Sequence, residues 1–323
     1  MNNGTWRVWL NRLGPVLGLV VVFALFACMA PRSFSSVRNL ETIARQTAIV
    51  SMAALGMTII MISGGIDLSV GSMVALSTVV IAMLLQAGMN PWVAALGGVS
   101  AGAVCGLING LLITRLRVVP FIVTLGTLLI LRGAAKGLAH EQKIDVDPGA
   151  LHWLERLLAA LQPSERWMLV PMGVWLMVVL AVGVSVLLRY TRFGRHVFAV
   201  GSNELTARLC GVAVERTKVL VYTLGATFAG LAGLLQFSRL TVGDPTVAVG
   251  LELDVIAAVV IGGGSLSGGE GSVLGSIVGA LIMTTIRSGC SQMGLPNWVQ
   301  EMVTGAIIVL AVAVDRLRHR RTS

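Results

Sequence analysis

The chain has 323 residues, of which 55% are hydrophobic and only 12% charged, and 24 basic against 15 acidic side chains leave a net charge of +9. Soluble domains carry roughly 25% charged residues, and a soluble chain of this length has no way to hide so much apolar surface. The basic residues sit in short segments between apolar runs, so they point to the positive-inside bias of a membrane protein and away from nucleic acid.

Taken in chain order, the first apolar run, 13–30, follows Arg7 and Arg12. It has two readings: a first membrane helix with a positive flank, or a signal peptide, with Leu25-Phe26-Ala27-Cys28 loosely like a lipobox. More spans follow, and the run is long for a signal core, which favours the helix. Further spans are expected near 46–63, 70–88, 92–113, 119–138, 169–188, 219–238, 251–262, 273–290 and 298–314. The uncharged run 169–188 alone is long enough to cross about 30 Å of hydrocarbon at about 1.5 Å per residue. The fold expected is therefore all-α, a single polytopic bundle over 1–323 with about ten transmembrane helices.

An even count puts both termini on one side, and the arginines choose the cytoplasmic side. Arg115, Arg117, Arg189, Arg192, Arg195, Arg208, Arg216, Lys218 and the C-terminal Arg316, Arg318, Arg320 and Arg321 then all face inward. Arg32, Arg38 and Arg45 break the pattern and fall outside. The four cysteines, Cys28, Cys105, Cys210 and Cys290, lack metal-ligand spacing and read as small buried hydrophobes.

Two segments stand apart from the spans. Within the outer stretch 139–168, residues 148–162 place Leu151, Leu154, Leu158 and Leu161 on one helical face, opposite His152, Glu155 and Arg156. That pattern predicts an amphipathic helix lying on the membrane or covering the bundle; an irregular loop is the plainer reading. The segment 189–218 is the longest cytoplasmic loop. Asn203 suits the cap of a short helix from Glu204 to Cys210, and Gly211 suits the left-handed position that ends it. Such a helix is either a docking element for a soluble partner or part of a basic loop that only sets topology.

Two glycine-rich clusters interrupt the apolar runs. In the first, Gly64 and Gly65 break the helix and Asp67 and Ser69 follow. A carboxyl there either lines a pathway or caps the next helix, and the two roles are compatible. The second cluster spans 262–272 and carries Ser267; Leu266-Ser267 echoes Leu68-Ser69, as two related halves would. Both clusters fall on one side in this topology, which suits a simple inverted repeat poorly. No Gly-Lys dipeptide exists, so the second cluster is no P-loop. Glu252 and Asp254 either face the outer mouth or favour a helix N-terminus. Asn109 and Thr124 are polar groups inside spans. No catalytic or metal-binding constellation emerges, so the chain is not expected to be an enzyme or to bind a metal or cofactor.

At these clusters the chain resembles a known family. Gly64-Gly65-Ile66-Asp67-Leu68-Ser69-Val70-Gly71-Ser72 is similar to a signature of the permease subunits of ribose-, xylose- and galactose-type sugar ABC importers. Pro120 to Thr127 with Arg132-Gly133, Phe193-Gly194-Arg195 with Gly201 to Lys218, and Leu253 to Gly269 resemble further landmarks. Thr206 and Gly264 depart from the usual residues. The resemblance covers roughly 40–315. It implies a bacterial inner-membrane permease that forms the pathway with a second permease subunit, as homodimer or heterodimer. Separate ATP-binding subunits would dock from the cytoplasm and a periplasmic sugar-binding protein would deliver solute. The carried-over coupling residues are Asn203, Glu204, Ala207, Arg208 and Gly211, and Gly64, Gly65, Asp67, Ser69, Asn109, Thr124 and Ser267 would line or gate the pathway. Two alternatives remain: an ABC permease for a nucleoside, an autoinducer-like furanosyl compound or a branched-chain amino acid, and an ion-driven secondary transporter.

Overall fold

The computed structural model describes residues 3–319. Its helices are α1 (Asn3–Met29), α2 (Val37–Ile62), α3 (Val70–Gln86), α4 (Pro91–Leu116), α5 (Pro120–Leu138), α6 (Pro148–Leu151), α7 (Trp153–Arg156), α8 (Met172–Tyr190), α9 (Arg192–Ser202), α10 (Glu204–Leu209), α11 (Val214–Leu240), α12 (Leu251–Ile261), α13 (Val273–Gln292) and α14 (Asn297–His319). Two-residue strands, β1 (Ile144–Asp145) and β2 (Val242–Gly243), pair antiparallel with Ile144 opposite Gly243. Among the described residues six helices, α2, α4, α5, α8, α11 and α13, are long and apolar enough to cross a membrane; Gly14–Met29 and α3 are shorter apolar helices.

Local chemistry explains the starts of several helices. Ser36, Asn90 and Ser272 each accept a backbone N–H in the first turn of α2, α4 and α13. Pro91 and Pro120 open α4 and α5, where a missing N–H costs nothing. Without water, helices associate through close packing and a few polar contacts. Small residues let α4 lie against α11, with Gly102, Gly106 and Gly110 meeting Gly230, Ala226 and Val219. Hydroxyl pairs join α2 to α13, Thr58 to Ser276 at 2.7 Å and Thr47 to Thr284 at 2.6 Å.

The packing repeats itself. α2 packs on α13 as α11 packs on α4, and α2 and α11 pack on each other. α3 packs on α4 and α5; α12 packs on α13 and α14. α2 is the centre of the bundle, with 89% of its apolar window buried, against 17% for the peripheral α5. The apolar side chains left exposed on α5 and α8, such as Leu129, Ile130, Val179 and Val182, form the outer surface.

Several expectations need correction. α2 begins at Val37, not near 46, and α11 at Val214, not near 219. Residues 148–162 are not one amphipathic helix: His152, at φ +46°, separates α6 from α7, and the chain turns again after Arg156. Leu151, Leu154 and Leu158 are buried, so this segment covers the bundle instead of lying on a membrane. Of the cysteines, Cys105 and Cys290 are buried but Cys28 and Cys210 are exposed, and all four are free. Arg320 and Arg321 lie outside the described residues.

Candidate functional site

The chain breaks after α2 and reverses through Ser63 to Ser69 into α3. Asp67 Oδ1 accepts both the backbone N–H of Ser69, at 2.8 Å, and the Ser69 hydroxyl, at 2.5 Å. This closes a tight turn ahead of α3; the Asp67 side chain does not cap the helix itself, whose N-cap is Ser69. Asn109 of α4 donates through Nδ2 to Ser69 Oγ at 3.0 Å. The carbonyl of Ile66 accepts from the Thr124 hydroxyl of α5 at 3.3 Å and from the Tyr222 hydroxyl of α11 at 3.5 Å. Asp67, Ser69, Asn109 and Thr124 are all fully buried. Asp67 Oδ2 and Asn109 Oδ1 have no partner among the described residues. Unmatched buried oxygens are costly, so a fold retains them where geometry demands a polar lining.

A second break, between α11 and α12, has the same local design. Asp244 Oδ1 accepts the Thr246 N–H at 2.8 Å and the Thr246 hydroxyl at 2.7 Å. The segment runs down the side of α3: Gly243 sits against Thr78 and Ala82, Asp244 exchanges main-chain hydrogen bonds with the Thr78 hydroxyl, and Ala248 meets Gly71. From Ala82 to Gly71 that is a descent of about 16 Å along the helix. A Cβ on Gly71 would overlap both the Ala248 carbonyl and the Glu252 carboxylate, so the two breaks meet at this glycine. Arg132 of α5 pins the segment by donating to the carbonyls of Pro245 (3.0 Å) and Val247 (2.7 Å). Lys143 approaches Asp244 at 3.3 Å. Burial on its own raises the Asp244 carboxyl, but the two Thr246 donors and the Lys143 ammonium outweigh it and hold it below the ordinary carboxylate range.

The counterpart of Asp67-Leu68-Ser69 is therefore Asp244-Pro245-Thr246, not Leu266-Ser267. Ser267 is exposed, and its N–H goes to Ser265 Oγ. The 262–272 segment has a different task. At the end of α9, a Cβ on Gly201 would overlap the carbonyl of Ile62, the last residue of α2. The N–H of Gly269 donates to that same carbonyl at 2.9 Å, and Gly268 abuts Gly201 and Gly64. Three remote segments thus touch backbone to backbone.

Beyond this junction stands α10. Asn203 caps it, accepting the Thr206 N–H at 2.9 Å, and Gly211 ends it at φ +84°. Ala207 is buried against Val200 and Val214, which fixes α10 to α9 and α11. Arg208 pairs with Glu215 at 2.7 Å and Lys218 with Glu204 at 2.6 Å. Leu205 and Leu209, one turn apart, are 72% and 81% exposed.

Of the sequence-predicted residues, Gly65, Asp67, Ser69, Asn109 and Thr124 come together at the first break, Gly64 joins the glycine junction, and Asn203, Glu204, Ala207, Arg208 and Gly211 build α10. Ser267 joins neither group. Sequence reasoning missed Tyr222, Gly201, Asp244 and the exposed Leu205 and Leu209. The Asp-x-Ser/Thr spacing shared by the two turns was the signal for Asp244. Among the described residues, no group of three or more His, Cys, Asp or Glu side chains is placed to hold a metal ion.

Residues 39–312 match the family model described as the permease component of a branched-chain amino acid transport system. The ribose import permease protein RbsC of Escherichia coli (strain K12) is 36% identical over 313 residues, 97% of this chain and 96% of that one. The protein of the same name from Bacillus subtilis (strain 168) is 38% identical over 308 residues, 95% and 93% of the two chains. The L-arabinose ABC transporter permease protein AraH of Azospirillum brasilense is 36% identical over 318 residues, 98% and 91%. No solved structure matches the chain. With bundle, breaks and matches taken together, the chain belongs to the family of membrane permease components of binding-protein-dependent transport systems.

Proposed function

We propose that this chain is the pathway-forming permease subunit of an ATP-driven monosaccharide importer in a bacterial inner membrane. In this reading α1, α2, α3, α4, α5, α8, α11, α12, α13 and α14 make ten passes, with both termini cytoplasmic and α9 and α10 on the same side. A second permease subunit completes the pathway. ATP-binding subunits dock on α10, and a periplasmic sugar-binding protein meets the opposite end. No cofactor is assigned to this chain, and ATP hydrolysis belongs to the partner. The ribose and arabinose relatives support the solute class.

The observation that carries the reading is α10 itself. It is capped, charged and fixed to the bundle, yet it holds two leucines that no described residue covers. Exposed apolar side chains within a charged rim are what a protein partner buries. Motion of α10 would pass through α9 to the glycine junction, and from there to the ends of α2 and the 262–272 segment, because close-packed backbone transmits displacement without yielding.

The test is ATP-driven uptake of labelled ribose and arabinose into proteoliposomes holding the permease, its ATPase and its binding protein. Uptake that needs ATP and persists with ion gradients collapsed supports the reading; uptake without any ATPase overturns it. Arg208→Glu breaks the Glu215 pair and should lower transport at least tenfold while the protein still inserts and ATP is still hydrolysed. Wild-type transport in that variant would remove α10 from the coupling route.

A further inference from the structure

A cavity of about 610 Å³ opens at the end of the bundle opposite α10. It lies between the start of α2, the ends of α11 and α13 and the start of α12. None of the sequence-predicted site residues lines it. The volume falls within the roughly 300–1,000 Å³ of small-molecule sites.

Its walls are polar where a lipid-facing bundle has every reason to be apolar. Gln46 and Gln236 supply amides and Arg38, Arg239 and Arg287 supply guanidiniums, while Asn39 and Ser288 are bonded to each other within the wall. No Asp or Glu lines the space. Behind the wall, Asp254 of α12 matches Arg287 at 2.5 Å. Arg45 is close enough to Arg239 for their charges to repel, and its buried Nε has no partner among the described residues. Glu41 partly offsets Arg45 while its Oε1 accepts the Leu161 N–H at 2.7 Å. Three guanidiniums thus line the cavity, and among the described residues only that of Arg287 is matched by a carboxylate within salt-bridge distance. Arg38 is one of the three arginines that depart from the positive-inside distribution. Holding like charges together at the mouth of a membrane protein is unfavourable unless an anion joins them. Planar guanidiniums suit a carboxylate, and the amides suit hydroxyls.

We propose that this cavity receives the transported solute and that the solute is an acidic monosaccharide, with hydroxyls for the amide wall and a carboxylate for Arg38 and Arg239. The proposal rests on the permease reading and narrows its solute class. The full-length chain in lipid nanodiscs is titrated calorimetrically with D-gluconate, D-galacturonate, D-glucose, D-ribose and acetate. At least one sugar acid should bind at least tenfold more tightly than the neutral sugars and acetate. Arg239→Gln should weaken that acid about tenfold, the loss expected for one charge-assisted hydrogen bond. Arg38→Gln, an exposed position with no packing role, should weaken it in the same direction. Neutral sugars binding as well as the acids, acetate binding as well as the sugar acids, no sugar acid binding at all, or acid binding unchanged in both variants overturns the proposal. ATP-driven uptake of neutral pentose alone sinks this inference and keeps the importer. Sugar-acid binding without any ATP-driven uptake keeps the cavity assignment and sinks the importer.

Discussion

The two breaks use one turn in two environments. At Asp67 and at Asp244, a carboxylate oxygen accepts the N–H and the hydroxyl of the residue two positions on. The Asp67 turn is locked by neutral donors from α4, α5 and α11 and is sealed from water. The Asp244 turn is clipped by Lys143, whose side chain is 64% exposed. Hydrogen bonds in a dry interior respond little to salt, whereas an ion pair with a water-facing partner responds to salt and to pH. The first break is therefore a fixed joint and the second a releasable one.

Four changes break or sharpen this contrast. The largest effect is expected from Gly201→Leu, which forces the junction apart at the first break and leaves the second untouched. Transport should fall by at least a hundredfold with insertion preserved, read as uptake against the monodispersity of the purified protein. Next, Asp67→Ala removes the acceptor of two buried donors and should destabilise by about 2–4 kcal/mol. Asp67→Asn keeps an acceptor and should cost clearly less; equal shifts in thermal midpoint for the two variants would show that the turn does not depend on that oxygen. Third comes pH. The Asp244 carboxyl titrates below its unfolded value, so its contribution is complete above the ordinary carboxylate range and is lost as pH falls through the folded value. The stability difference between wild type and Asp244→Asn should shrink as pH drops from neutral to about 3, and a constant difference would contradict the assignment. Smallest is Lys143→Ala: with so exposed a partner, the loss should stay under about 1 kcal/mol and vanish in high salt.

Much of the molecule was readable from the chain. The apolar runs marked the helices, and the glycine cluster at 64–65 marked the first break. Asn203 and Gly211 marked both ends of α10, because capping is a local code. The failures were non-local. Hydropathy started α2 late because Arg38, Glu41 and Arg45 look like solvated loop residues, although they belong to the helix and Arg38 lines a cavity. Residues 241–250 left no trace, since a run held by Arg132 carbonyl contacts and by Gly71 carries no apolar signature. Leu266-Ser267 looked like the partner of Leu68-Ser69 because the letters match; the hydrogen bonds select Asp244 and Thr246 instead. Of the two placements offered for the leucines in 148–162, covering the bundle holds for Leu151, Leu154 and Leu158, but the backbone reversal at His152, which breaks the expected helix, leaves no trace in periodicity.

The junction at Gly201 has a consequence for how such a protein can change. The contact that ties α9 to α2 and to the 262–272 segment is made chiefly by main-chain atoms of Ile62, Gly64, Gly201, Gly268 and Gly269. The cavity at the far end is lined by residues with long polar side chains, among them Arg38, Gln46, Gln236 and Arg239. A drive train made of backbone tolerates no tinkering, while a receptacle made of side chains can be refitted residue by residue. One scaffold can thus be re-addressed to a new cargo with its engine mount left intact.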